Sequence, residues 1–533
     1  MRYRRLLLLF TSLVLAAGVI AASSASASAR PDPSPERHAA TVHNSLPAMS
    51  SPATRVKFGK FTHPKPPEVD HDQFGHPALK IGPFHQRPVD QVMSIGSAGK
   101  TSKRPAAPPT VNFLTNHVAP YDGWVPEEPT TAAVGLKVVY TSNDLLSLSV
   151  DGGHTFHSFD PRTMYADYRA GGPDGDQDVI YVPQINEFVW LIQYFAGSNG
   201  ANLDRLAVFP PSAVTASGLT SWTYWDITSG ELPGTHPFLD FPDLAFGNSY
   251  LYLTQDSGSG GFVSQTFIAR IGLTNLQQGL NLAAGPNAWR YITGGLFFGK
   301  VVQNTGSVAY WASNSSTSTM AASYWPESST SWFGPVNVNV YSWPNSDYTT
   351  TTPGGGSWLN LYTGTVMASA RVGRYLYFAW TAARGSGSQA WLSNPHVELV
   401  QMTTSFTFVS QRAIWNPNYV FAWPYLTSAP NLAGVPQLGV SLVWGGGKFF
   451  ANAAAGDLTT SPFVVDATAV SNANCGCGRW GDYLAVRPYY AGPGTKFASQ
   501  FIATGYRYDP PVPAPFGGYN DVFVAFTGYD DFT

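Results

Sequence analysis

The sequence predicts an all-β chain, a β-propeller of about seven four-stranded blades, and three observations predict it. Short apolar runs rich in β-branched and aromatic residues recur from about residue 111, as in "LKVVYTSNDLLSLSVDGGHTFHSFD", "DVIYVPQINEFVWLIQYF" and "VMASARVGRYLYFAWTA", which is the strand pattern. The composition agrees: 14% of residues are aromatic, and 52 Gly and 42 Pro supply turns between many short strands. Third, one polar residue leads each pair of apolar runs, at Glu128, Gln177, Asp243, Gln303, Thr365, Gln437 and Asp482. The intervals are long enough for one four-stranded sheet each, and a radial arrangement protects the sheet edges. Two stacked sandwiches would not produce one leader per repeat.

Taken in order, residues 1–29 form a processing segment. Arg2, Arg4 and Arg5 precede an apolar run from Leu6 to Ala22, and Ala27-Ser28-Ala29 is a small-residue cleavage site. This is the layout of a secretory signal peptide, so the expected location is secreted, outside the cell. No later apolar run is long enough to span a bilayer. Residues 30–110 are rich in Pro and hold six of the 11 histidines. Such a stretch buries too little apolar surface to offset its ordering entropy, and it reads as a disordered linker or pro-segment. Residues 111–533 are the propeller domain.

The octapeptide "SVDGGHTF" opens the question of chemistry. Asp151 followed by Gly152-Gly153 is a hairpin signal, because glycine reaches positive φ without steric cost. Asp151 accepts backbone N–H bonds in such a turn, and Phe156 packs beneath it. The run resembles the Asp-box of sialidases and other propellers, where it lies between the third and fourth strands of a blade, away from the catalytic face. The region 111–530 as a whole resembles secreted bacterial sialidase-like propellers. The stretches that carry this are "GDQDVIYVPQINEFVWLIQY", "FPDLAFGNSYLYLT", "IWNPN" and "RWGDYLAVRP". The resemblance implies a fold and a compartment and no defined reaction. The Arg-Ile-Pro motif of sialidases is absent; the nearest run, "ARIGL" at 269–273, lacks the proline. No spacing selects an arginine triad among Arg162, Arg169, Arg205, Arg371, Arg412 and Arg479.

Two functional classes remain. One is a secreted propeller that binds a glycan or a cell-surface partner, with Gln177, Gln303, Gln437, Arg479 and Trp480 as candidate ligand-binding residues. The other is a glycoside hydrolase or lyase. Its chemistry needs paired carboxylates at inner-strand starts, with mutual repulsion raising one pKa, and the candidates are Asp176, Asp243 and Asp482. Against both stands a structural role, in which polar leaders bond a neighbouring blade's backbone. Trp222, Trp225, Trp325, Trp343, Trp358 and Trp423 either stack on sugar rings or fill the spaces between blades. Of the two classes, binding is the first choice.

Other chemistries fit poorly. At 12% charged residues and a net charge of −3, the chain has no basic face for nucleic acid. Asp174, Asp176 and Asp178 alternate as in a calcium loop, but Val179 and Ile185 stand where Gly and Glu belong. No cofactor is expected; calcium at Asp174 and Asp176 is the weak exception. Cys475 and Cys477 make a local disulfide outside the cell, too short to staple the fold, and two thiols do not make a zinc site. In "CGCGRWGDY", Arg479 and Asp482 either serve the funnel rim or tie the last blade to the first. The Ser/Gly stretch near 256–260 reads as a loop and not as a nucleophile elbow. The chain is expected to act as a monomer.

Overall fold

The repeat becomes a succession of antiparallel sheets around a common axis, a β-propeller. The computed structural model describes residues 128–459 apart from breaks, of which 162–172 and 230–237 are the longest. It also describes Asp90–Gln91, Asn112–Ala119, Val464–Ala467, 484–491, 499–509 and Tyr519–Gly528. The first sheet runs outward from Thr130–Val134, the second from Pro173–Val182 and the third from Phe238–Phe246. The fifth begins at Val366–Val372, the sixth at Val420–Pro430 and the seventh at Val486–Pro488.

Among the described residues six sheets have four or more strands, which corrects the expectation of about seven four-stranded blades. The fourth sheet has three: Val308–Ser316, Thr319–Pro326 and Phe333–Asn339. The residues before it divide their backbone bonds between two sheets and so form no ladder. The Val302 N–H donates to Tyr310 O at 2.8 Å within the fourth sheet. The Gln303 N–H donates to Ser369 O at 3.1 Å, and Gln303 O accepts from the Arg371 N–H at 3.1 Å, both in the fifth.

Both faces of most sheets are covered by neighbours, which explains why strands such as Glu187–Tyr194 are continuously apolar rather than alternating. Trp190 and Ile192 of the second sheet pack with Val139 and Leu148 of the first. Leu191 and Val189, on the opposite face, pack with Leu244, Leu253 and Phe267 of the third. All six tryptophans considered for sugar stacking are buried, so they belong to this packing between sheets.

The ring closes with strands from both ends of the chain. Asn112–Ala119 is the outermost strand of the seventh sheet, paired with Tyr519–Gly528. The seventh sheet is then tied to the first. Thr504 Oγ1 donates to Pro129 O at 2.7 Å, the Tyr489 hydroxyl donates to Gly135 O at 2.9 Å, and the Gly135 N–H donates to Tyr490 O at 2.8 Å. Asp90–Gln91, inside the expected linker, pairs in parallel with Ile414 and Trp415 at the edge of the fifth sheet. The rest of 30–110 and all of 1–29 lie outside the described residues. Among the described residues no helix is long and apolar enough to cross a membrane.

The octapeptide forms the turn between the third and fourth strands of the first sheet. Asp151 Oδ1 accepts from Ser149 Oγ at 2.8 Å and the Thr155 N–H at 2.9 Å, and Oδ2 accepts from Thr155 Oγ1 at 2.6 Å. Gly152 and Gly153 take φ of 76° and 87°, which a side chain rarely allows. Phe156 meets the Tyr140 ring edge-on at 6.1 Å.

Candidate functional site

Acidic residues near the starts of two neighbouring innermost strands gather, with a lysine and an arginine, at the centre of the ring. Alternation along Pro173–Val182 sends Gln177 and Asp178 to opposite sides. Asp178 meets Arg487 of the seventh sheet, whose Nη2 lies 2.7 and 2.8 Å from its two oxygens. Asp178 Oδ2 also accepts the Leu244 N–H of the third sheet at 2.7 Å. The pair is buried and joins three sheets through one carboxylate.

Asp243 stands next to Leu244 in the strand and is equally buried. Burial raises its pKa to about 6; Lys300 opposes the shift, Asp178 adds to it, and Arg487 opposes it. For Arg487, burial lowers the pKa, but Asp178 and Asp243 outweigh this and the net shift is upward. Lys300 is the second cation. Its Nζ sits 3.8 Å from the centre of the Phe241 ring and 3.4 Å from the Tyr425 hydroxyl.

Asp256 completes the group from the second strand of the third sheet, Tyr250–Ser259. Burial raises its pKa to about 6, against the Thr266 hydroxyl, which donates to Oδ1 at 2.9 Å, and against Lys300. Asp256 and Lys300 line one cavity of about 30 Å³, with Thr254, Gln255, Thr266 and residues 365–367 completing much of the wall. That volume is the share of one water. On the side toward the second sheet lies a further acidic group. Burial pushes Asp204 well above the usual carboxylate range; the Gln255 amide eases this, and Asp176 and Asp240 reinforce it.

Two irregularities aim these side chains. The ladder slips between Asp240 and Asp243, where Phe241 takes φ 56° before Pro242. It slips again between Ala422 and Tyr425, where Trp423 takes φ 46° before Pro424. A bulge redirects the following residues, here Asp243 and Tyr425 toward Lys300. Positive φ at a bulky residue costs on the order of 1–3 kcal/mol, and such strain gathers at functional sites.

The sequence candidates separate accordingly. Asp243 is central, and Asp176 belongs to the acidic group around Asp204. Gln177 is fully engaged, with Nε2 donating to Ser142 O at 3.0 Å and Oε1 accepting the Trp190 indole N–H at 2.8 Å. Gln303 Nε2 donates to Leu244 O at 2.8 Å. Both amides therefore bond a neighbouring sheet. Gln437 lies on the second strand of the sixth sheet, Pro436–Gly446, and not on its innermost strand. Among the described residues no group of three or more His, Cys, Asp or Glu is arranged to hold a metal ion. The side chain of Asp174, and Cys475, Cys477, Arg479, Trp480 and Asp482, lie outside the described residues.

Lys300, Asp256, Arg487 and Tyr425 were not among the candidates. The aromatic-proline pairs at 241–242 and 423–424 are the signal for two of the bends, since proline inside a strand marks an edge or a bulge.

No protein-family model matches the chain, and no curated protein matches it. Among solved structures, an α-L-arabinofuranosidase of Fusarium graminearum in complex with an iminosugar inhibitor matches at 12% identity. The match covers 75% of this chain and 92% of that one, with a TM-score of 0.36. A Trypanosoma rangeli sialidase matches at 11% identity over 60% of this chain and 52% of that one, TM-score 0.31. A thermostable family-43 glycoside hydrolase matches at 8% identity over 68% and 96%, TM-score 0.31.

Proposed function

We propose that the chain is a secreted, carbohydrate-active propeller whose axial carboxyls hydrolyse a glycosidic bond. The observation that carries this reading is Lys300, whose charge reaches both Asp243 and Asp256, each raised by burial to about 6, and which lines one small cavity with Asp256. Glycoside hydrolysis needs one carboxyl that still holds its proton near neutral pH and one that has lost it. Asp243 faces Lys300, Arg487 and the Asp178 carboxylate, while Asp256 faces Lys300 and the Thr266 hydroxyl, and burial brings both to about 6. One of the pair protonates the leaving oxygen, and the other activates water or attacks the sugar carbon. Lys300 holds the pair's charge in check as the proton moves.

The size of the cavity counts against hydrolysis at Asp256, because a sugar ring does not fit in about 30 Å³; the second reading is a glycan binder without catalysis, at another surface of the propeller. One screen separates the two: residues 111–533 on a glycan array and against a panel of chromogenic glycosides. Hydrolysis that falls at least 100-fold in Asp256→Asn, with an unchanged melting temperature, supports the hydrolase. Array binding with no sugar released, in the wild type as in Asp256→Asn, supports the binder and removes the hydrolase.

A further inference from the structure

A second cavity lies between the fifth and sixth sheets, at the opposite end of the strands from the acidic starts. Its volume is about 180 Å³, the share of about six waters at ~30 Å³ each. Val372, the last residue of the fifth sheet's innermost strand, is in its wall, as are Leu399, Leu438 and Leu458. The polar part of the wall is Tyr377, Gln401, Ser410, Arg412 and Thr459, and no carboxylate lines it.

The hydrogen bonds within this wall leave two hydroxyl donors. Tyr377, Gln401 and Ser410 stand side by side on adjacent strands, since Tyr377 pairs with Gln401 and Gln401 with Ser410. Gln401 Nε2 donates to the Tyr377 oxygen at 2.9 Å, and Ser410 Oγ donates to Gln401 Oε1 at 3.0 Å. The phenol thus keeps its O–H. Thr459 Oγ1 accepts the Leu438 N–H at 2.8 Å, which leaves its O–H as well. Arg412 pairs with Leu399 across the ladder, on the same face, and its charge reaches Tyr377. Glu398, one residue along, is on the other face, where it meets His396 and Gln411.

We propose that this cavity is a binding site for a small aliphatic monocarboxylate of about three to six carbons. The carboxylate meets the Arg412 guanidinium and the Tyr377 and Thr459 hydroxyls, and the hydrocarbon lies on the four aliphatic side chains. Two donor hydroxyls and a guanidinium match the lone pairs of a carboxylate. The apolar wall selects a hydrocarbon body over a second charge. The site is independent of the axial carboxyls and of any hydrolysis there.

The test is calorimetric titration of the full chain with propionate, butyrate, valerate and hexanoate, and with butyramide and pentanol as uncharged controls. Binding of at least one acid in the millimolar range or tighter is expected, weakened tenfold or more in Arg412→Gln and threefold or more in Tyr377→Phe. Thermal melts of both variants identify any that do not fold, and Tyr377→Phe changes a single oxygen. No binding by any acid at 20 mM, or equal binding of butyrate and butyramide, overturns the proposal. Unchanged affinity in a folded Arg412→Gln overturns it as well.

Discussion

Replacing Arg487 with Met removes the guanidinium while keeping much of the apolar stem. In the wild type that group holds both oxygens of Asp178, at 2.7 and 2.8 Å, in a buried setting. The substitution leaves the Asp178 carboxylate with the Leu244 N–H as its hydrogen bond and withdraws one of the two cations that oppose the rise at Asp243. Removing one partner of a buried pair costs about 3–5 kcal/mol, because the other charge stays desolvated. Removing both is far cheaper, so Arg487→Met with Asp178→Leu should lose less than about 2 kcal/mol. Urea unfolding followed by tryptophan fluorescence reads the difference, with unfolding rates used if refolding is incomplete. A single variant that loses under about 1 kcal/mol refutes the reasoning. So does a double variant whose loss equals the sum of the two single ones.

Three other outcomes are expected. Burial raises Asp243 and Asp256 from 3.8 to about 6, so the folded state holds their protons more tightly than the unfolded one. Their contribution is full below pH 4 and is lost as pH rises through 6, by at most about 3 kcal/mol each; urea midpoints from pH 4.5 to 7.5 should therefore decline less in Asp256→Asn than in the wild type, and equal declines contradict this. Gln177→Leu strands the Ser142 carbonyl and the Trp190 indole, and should cost about 1–3 kcal/mol in the same urea assay while leaving glycan binding unchanged. Asp151→Ala deletes three hydrogen bonds of an exposed turn, for a loss of about 1–2 kcal/mol with no effect on hydrolysis; altered hydrolysis would place the turn at the site.

The architecture was legible because short apolar runs and the turn residues between them are local signals. The leader rule worked where a polar side chain is needed to bond the next sheet, as at Gln177 and Gln303. It failed in the sixth sheet, whose innermost strand, Val420–Pro430, is apolar from its start. There the rule slid to Gln437 on the second strand. At the site, Asp243 was readable as an acid near the start of an apolar strand. Asp256 was hidden by the Ser/Gly stretch after it, which looks like a loop but continues the strand to Ser259. Lys300 follows Gly299 in a segment with no strand pattern, and only the three-dimensional ring brings it to Phe241 and Tyr425. Arg487 and Asp178 are far apart in the chain, and no local spacing announces such a pair.

Closing the ring with Asn112–Ala119 against Tyr519–Gly528 has a consequence for the order of folding. Asn112 pairs with Gly528, so almost the whole domain must be available before this sheet exists. Hairpins within each blade form early from near neighbours, whereas this pairing pays a large loop-closure entropy and comes late. Until then the outer edge of Tyr519–Gly528 remains uncovered, a sticky intermediate. An N-terminal truncation that stops at residue 111 leaves the final step intact. One that continues to residue 120 uncovers the edge of Tyr519–Gly528 and leaves closure to the bonds of Thr504 and Tyr489 with the first sheet.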